Sequence, residues 1–277
     1  MKHFDRTYTK ADLLRQLGEL DIPRDRVVLV HTSLRLIGNV EGGAQTLLDA
    51  LIEHFAGNDG LLCIPTHTWK NIGKPITLDL NDPTTCLGAF PTFAAADPRG
   101  IRSENPTHSM VVFGNRERAL RFIENELNIA SVTAPDSCYG KLYDEAGYVL
   151  LVGVSHHKNT YLHAVDEIVN MPNRLSKQTL DFTVKRKSGE LVNCRMKLMD
   201  TDYTPDISWR FHQYETAFRY HGAITNGYLG DAPVQACSAT AMKETVELIL
   251  KNNQGKDPLE TERPIPPAIY SSVLESK

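Results

Sequence analysis

Two buried strands joined by one amphipathic helix constrain this chain more than any other feature. Arg26 to Val30 is a mostly apolar, β-branched run, and Leu61 to Ile64 is a second. Between them Gly42-Gly43 opens a segment, Ala44 to Phe55, whose Leu47, Leu48, Leu51, Ile52 and Phe55 fall on one helical face. Gly57-Asn58-Asp59-Gly60 then turns the chain back. Strand, helix and strand at this spacing make a βαβ unit, which implies parallel strands and a crossover helix.

The alternation continues. Thr9 reads as the cap of a first helix. Ala89 to Ala96 suits a short helix, Met110 to Phe113 a strand, Asn115 to Leu127 a helix and Tyr148 to Val154 a strand. Asn159-Thr160 is placed to cap a helix through Asn170. Thr179 to Val184 and Val192 to Leu198 then alternate with period two around Lys187-Ser188-Gly189-Glu190, a β-hairpin pattern. Trp209 to Tyr220 suits a helix, Tyr228 to Cys237 contains a short strand, and Ser238 caps a last helix through Lys251. The tail, with Pro258, Pro264, Pro266 and Pro267, reads as extended or loosely held. The expected class is α/β: a mixed, mostly parallel sheet with helices on its faces and one inserted hairpin. No Pro/Gly/Ser-rich linker divides the chain, so residues 1–277 are expected to form a single domain.

Composition removes several functions. Net charge is −4 with no Lys/Arg run, so no nucleic-acid partner is expected. No stretch has the ~18 consecutive apolar residues of a membrane span, and Met1 to Arg6 lacks the apolar core of a signal peptide. The five cysteines are widely spaced with no C-x-x-C pair, which fits free thiols and a cytoplasmic location rather than a disulfide or zinc framework. There is no G-x-G-x-x-G, no Walker loop and no G-x-S-x-G elbow, which disfavours a dinucleotide enzyme, a P-loop enzyme and a serine hydrolase.

In open α/β sheets ligands bind beyond the carboxyl ends of strands, so the polar loops there carry the functional information. His31-Thr32-Ser33-Leu34-Arg35 follows the first buried strand and offers hydroxyls and backbone N–H groups to a phosphate or an oxyanion. A plain strand-to-loop turn would look the same. Arg102-Ser103-Glu104-Asn105-Pro106-Thr107-His108-Ser109 precedes a strand, and its Arg with neighbouring Ser hydroxyls suits a pyrophosphate as well as it suits a structural loop. Gly153 to Glu167 holds His163 one turn into a helix, with Asp166 and Glu167 three and four residues later. A His beside carboxylates above a sheet is suited to general-base work, although a surface His with solvated acids shares the pattern.

Taken in order, these loops resemble the aminoglycoside 3-N-acetyltransferase family, which is distinct from the GNAT-fold acetyltransferases. The resemblance lies in Val28 to Leu34, Gly42 to Thr46, Leu62 to Thr68, Arg102 to Ser109, Gly140 to Tyr143, Leu150 to His156 leading into Asn159 to His163, and Gly230-Asp231-Ala232. It implies a three-layer α/β/α sandwich and transfer of acetyl from acetyl-CoA, without a metal, to the 3-amino group of a 2-deoxystreptamine ring. His163 matches the family's catalytic His. Asp166 stands where the family carries Glu, with Glu167 adjacent. His31, Thr32, Ser33, Leu34, Arg35, Arg102, Ser103 and Ser109 match stretches that look like the lining of the coenzyme A site.

From these residues His163, oriented by Asp166 or Glu167, is the expected base, and the loop from His31 to Leu34 the expected source of oxyanion donors. A polycationic acceptor calls for carboxylates, and Asp166, Glu167, Asp202 and Asp206, together with Tyr203 and Tyr214, are the expected substrate contacts. Met171-Pro172-Asn173-Arg174 matches no family motif. Three other readings stay open: a metal-dependent hydrolase using His67, His156, His157 and His163, a coenzyme-binding protein without catalysis, and acetyl transfer to some other small-molecule amine. Assembly is open too, with a homodimer among the options.

Overall fold

A computed structural model describes residues 6–200 and 206–272. Its strands, in chain order, are β1 (Val27–Thr32), β2 (Leu61–Pro65), β3 (Ile101–Arg102), β4 (Met110–Gly114), β5 (Tyr148–Val152), β6 (Leu175–Lys185), β7 (Leu191–Met199), β8 (Ile224–Leu229) and β9 (Ala232–Ser238), with short pairings at Thr7–Tyr8, Asn39–Val40 and Leu78–Asp79. The principal sheet has seven strands in the order β8-β9-β5-β1-β2-β4-β3.

The expected βαβ unit is present: β1 and β2 pair in parallel, with the helix Gly43–Phe55 crossing between them. Leu47, Leu48, Leu51 and Phe55 are fully buried on its inner face; each such burial contributes about 1.5–3 kcal/mol. Gly60 closes the return turn because nothing larger fits: a Cβ there would lie 2.1 Å from the Phe55 carbonyl oxygen and 2.3 Å from that of Arg24.

Alternate residues of the central strands feed two different cores. Val27, Leu29, Leu61, Cys63, Val149 and Leu151 pack with the helices Tyr161–Ile168 and Ala239–Asn252. Val28, Val30, Leu62, Ile64, Leu150 and Val152 pack with Lys10–Gly18, Gly43–Phe55 and Ala89–Ala96 on the other face. Apolar residues on both faces of every central strand require two covering layers, and the result is an α/β/α sandwich.

The expectation of a mostly parallel sheet is corrected. Both pairings of β1, with β2 and β5, are parallel, while β2–β4, β3–β4, β5–β9 and β8–β9 are antiparallel. A fully buried strand is apolar throughout in either direction, so burial pattern carries no sign of polarity. Strand β8 escaped the sequence reading because half of its residues are exposed and Asn226-Gly227 resembles a turn.

The hairpin β6–β7 pairs from Leu175 to Lys185 against Leu191 to Met199 and carries its own small core of Ile129, Val132, Phe182 and Met196. The Pro-rich tail is not loose. Asp257 is ion-paired to Arg174, Arg210 donates to the carbonyls of Leu259 and Glu260 at 2.9 and 2.8 Å, and Leu259 is fully buried. Among the described residues no helix is long and apolar enough to cross a membrane.

Candidate active site

The carboxyl ends of β1, β2 and β5 open into a cavity of about 670 Å³. The three strands deliver His31 and Thr32, Pro65 and His67, and Val154 to its wall. The remaining wall comes from the Trp69 and Leu87 loops, the loop holding His108, the start of the His163 helix, and the segment from Asp206 to Ser208.

His163 sits on this wall in the first turn of Tyr161–Ile168. Its ring packs against Phe211 at 4.9 Å. Nδ1 is sealed from solvent with no hydrogen-bond partner, which leaves Nε2 as the nitrogen the cavity can reach. Burial first, and the nearby Arg174 cation second, push its pKa down to about 3. At neutral pH the imidazole is therefore the free base. Neither Asn159 nor Thr160 caps the helix through a side chain; the Asn159 amide faces His156 Nδ1 at 3.2 Å instead.

The two carboxylates expected to orient His163 are otherwise engaged. Asp166 is buried and accepts from Arg174 Nε at 2.6 Å, and Arg174 also grips Asp257 with two bonds of 2.7 and 2.8 Å. Burial pushes the Asp166 carboxyl up, to about 6, against the pull of the Arg174 charge. Glu167 accepts from the hydroxyls of Ser131 and of Thr133, the latter at 2.6 Å. Burial raises its pKa too. Helical spacing brought these acids near His163 in sequence, but Arg174 and the Ser131–Thr133 loop reach them first. They anchor the helix, and neither hydrogen-bonds the imidazole, although Asp166 Oδ1 is buried without a partner.

The expected coenzyme loops divide. His31 and Thr32 are on the wall, and His31 Nε2 and Thr32 Oγ1 are buried without partners. Ser33 turns its N–H to the Val152 carbonyl at 2.9 Å, Leu34 packs into the core beneath, and Arg35 is exposed; none of the three lines the cavity. Arg102, Ser103 and Ser109 are corrected to a structural role. Arg102 donates through Nε to Thr66 Oγ1 and Ser109 Oγ, through Nη1 to the Asp82 carbonyl and through Nη2 to the Thr66 carbonyl. Ser103 Oγ accepts from the Met110 N–H, and Ser109 Oγ donates to the Thr66 carbonyl. Each guanidinium nitrogen donates inside the protein, which ties the strand loops together, and Arg102 does not line the cavity.

Of the expected substrate contacts, Asp202 and Tyr203 lie outside the described residues. Asp206 is on the wall. Tyr214 is not: it is fully buried between Phe211 and Phe218, at 6.5 and 5.6 Å.

Sequence reasoning gave the rest of the wall no part in acetyl transfer. Lys158 lies over the Trp209 ring at 5.6 Å, His157 stacks on that ring at 5.1 Å, and Trp69 stands half exposed at the mouth. The rings of His67 and His108 lie 4.5 Å apart, tilted by 48°. Their convergence with His163 joins residues far apart in sequence, and no local pattern announces it. His156, grouped earlier with other histidines as a metal ligand, turns into the core against Phe218 at 5.2 Å. Among the described residues no three His, Cys, Asp or Glu side chains converge as metal ligands would.

A family model described as aminoglycoside 3-N-acetyltransferase matches residues 29–251. The chain belongs to that family. Similar proteins include the SPbeta prophage-derived aminoglycoside N(3')-acetyltransferase-like protein YokD of Bacillus subtilis strain 168, 26% identical over 273 residues, spanning 90% of this chain and 94% of that one. An aminoglycoside N(3)-acetyltransferase III of Pseudomonas aeruginosa is 26% identical over 244 residues, spanning 81% and 87%. The fold matches aminoglycoside acetyltransferase AAC(3)-IVa, a His-to-Ala mutant in complex with a gentamicin, with a TM-score of 0.74 at 23% identity, covering 91% and 92% of the chains. It also matches AAC-IIIb in binary complex with CoASH, with a TM-score of 0.74 at 20% identity, covering 90% and 98%. The resemblance read from the strand-end loops thus holds, and this acetyltransferase fold places the histidine-lined cavity at the carboxyl ends of its parallel strands.

Proposed function

We propose that this family member transfers the acetyl group of acetyl-CoA to the 3-amino group of a 2-deoxystreptamine aminoglycoside, with His163 as general base. The observation that carries the reading is a neutral imidazole whose one accessible nitrogen faces a cavity walled by both signs of charge: Lys158 on one hand, Asp200 and Asp206 on the other. The donors present suit a coenzyme thioester. Lys158 can meet phosphate charge, and the partnerless His31 Nε2 and Thr32 Oγ1 can bond a polar ligand. The carboxylates suit a polycation.

In the tautomer that carries the ring proton on the partnerless Nδ1, His163 Nε2 takes a proton from the amine as the amine nitrogen bonds to the thioester carbon. The C–S bond then breaks, its electron pair leaves with sulfur, and the proton on His163 can pass to the departing thiolate. A nitrogen with a pKa of about 3 binds a proton weakly at rest. It can serve because the attacking amine becomes acidic only as it bonds to carbon, so transfer is needed only then. The Arg174 cluster contributes by holding the helix that presents His163.

Thiol release from acetyl-CoA, followed colorimetrically against a panel of aminoglycosides, tests the proposal. Release with compounds bearing a free 3-amino group, reduced about 10²–10⁴-fold in His163→Ala, is expected. Release that is equal in wild type and His163→Ala removes His163 from the role. Release only with other amines moves the reading to a different acceptor.

A further inference from the structure

His67 and His108 face the same cavity as His163 yet have no part in the proton transfer above. Each has one ring nitrogen tied to a buried hydroxyl. His108 Nδ1 and Thr107 Oγ1 lie 2.8 Å apart, and His67 Nε2 and the Tyr139 hydroxyl also lie 2.8 Å apart. Thr107 and Tyr139 are completely buried, and among the described residues neither hydroxyl has a second hydrogen-bond partner.

That isolation decides where the protons are. If a ring nitrogen donated, the hydroxyl hydrogen beside it would be buried with no acceptor, and a buried orphan donor costs more than the small difference between imidazole tautomers. The hydroxyls therefore donate and the ring nitrogens accept. Each imidazole proton sits on the far nitrogen: Nε2 of His108 and Nδ1 of His67. Neither atom is among the sealed, partnerless ones, so both N–H groups are open to the cavity. Burial holds both rings uncharged at neutral pH, His67 well below its usual range and His108 at about 3.

Both hydroxyls hang from one buried support. Asn105 Oδ1 accepts the His108 backbone N–H at 2.9 Å, and its amide donates to Glu126 at 3.0 Å. Glu126 accepts the N–H of Cys138, the neighbour of Tyr139, at 2.6 Å. The two rings are thus fixed relative to each other before any ligand arrives.

We propose that His108 Nε2–H and His67 Nδ1–H bind the carbonyl oxygen of the acyl thioester, making a two-histidine oxyanion site. This rests on the acetyl-transfer reading of the same cavity. As the amine bonds to carbon, the C=O π pair moves onto oxygen, and the two N–H groups receive that charge; the pair returns as the C–S bond breaks. Fixed neutral donors aimed at developing charge need no reorganisation, and being neutral they do not repel a cationic amine as imidazolium would. The loop from His31 to Leu34, expected to supply these donors, spends the Ser33 N–H on Val152 and keeps the Thr32 hydroxyl on the wall.

The test is isotope-edited infrared spectroscopy of acetyl-CoA labelled at the carbonyl carbon and bound without an amine. In wild type the bound C=O stretch falls below its value in solution. In His108→Phe, and in His108→Phe/Thr107→Val, which also removes the stranded hydroxyl, it moves back toward that value. The kcat falls about 10²–10³-fold, as for loss of one oxyanion donor, with KM for acetyl-CoA little changed. Thr107→Val alone frees the tautomer and gives an intermediate loss, with ¹⁵N shifts of His108 showing mixed protonation. A bound carbonyl with an unshifted frequency in wild type, or the same frequency in wild type and the double variant, overturns the inference while leaving acetyl transfer intact. Absence of any acetyl-CoA binding in a calorimetric titration removes the acetyl-transfer reading and the inference with it.

Discussion

Acidification from pH 7 to pH 5 should unfold this protein, and the histidines fix the size of the effect. Six of them, His31, His54, His67, His108, His156 and His163, are held neutral by burial, with pKa values pushed down to about 3 or 4, or well below the usual range for His67. An unfolded His has a pKa of about 6.5. Below that value the unfolded chain binds protons that the folded chain refuses, so stability is complete above pH 6.5 and is lost as pH falls. Each site costs about 2 kcal/mol by pH 5, and six cost about 11 kcal/mol. Two buried carboxyls oppose this, because Glu126 and Asp166 are raised to about 7 and about 6 and take up protons while folded. They return about 3 kcal/mol over the same range. The net loss of roughly 8 kcal/mol is comparable to the whole stability of an ordinary domain, about 5–15 kcal/mol. Urea unfolding followed by circular dichroism at half-unit steps from pH 7.5 to 5 measures it, and calorimetry in two buffers counts the protons, about four taken up on unfolding at pH 5. A urea midpoint that stays level or rises as pH falls through 6 would refute the reasoning, since the rings would then be titrating alike in both states.

Other substitutions separate structural charges from functional ones. Arg174→Met strands Asp166 and Asp257 in the interior and should lower stability by about 3–5 kcal/mol in urea titrations, as loss of a buried partner does. Arg102→Lys cannot reproduce the bonds to Thr66, Ser109 and Asp82, so thermal unfolding should show a loss of about 2–3 kcal/mol, while KM for acetyl-CoA in the surviving enzyme stays near wild type. Asp206→Asn should raise KM for a polycationic amine several-fold, with a smaller effect at high salt, and leave acetyl-CoA binding unchanged; an equal effect on both ligands would place Asp206 elsewhere in the reaction.

Local order in this chain was legible because it depends on neighbours in sequence. Thr9 forms its capping box with Asp12, Ser238 caps Ala239–Asn252, and the hairpin turns where Lys187-Ser188-Gly189-Glu190 stand. The apolar period of Gly43–Phe55 and the runs at β1 and β2 sufficed for the βαβ unit. The family, too, was readable from the strand-end loops, and with it the place of His163. The pairing of polar groups was not legible. Arg174, which matched no motif, finds Asp257 83 residues away and takes Asp166 from His163. Arg102, the expected pyrophosphate binder, donates instead to carbonyls and hydroxyls of its own fold. Lys158, His67 and His108 gained their places only when loops from separate strands met around one cavity. Hydrophobic periodicity tells a chain which faces to bury, because burial scales with area and needs no particular partner. A buried charge or imidazole must find a specific complementary atom, and only the closed tertiary structure decides which one is within reach.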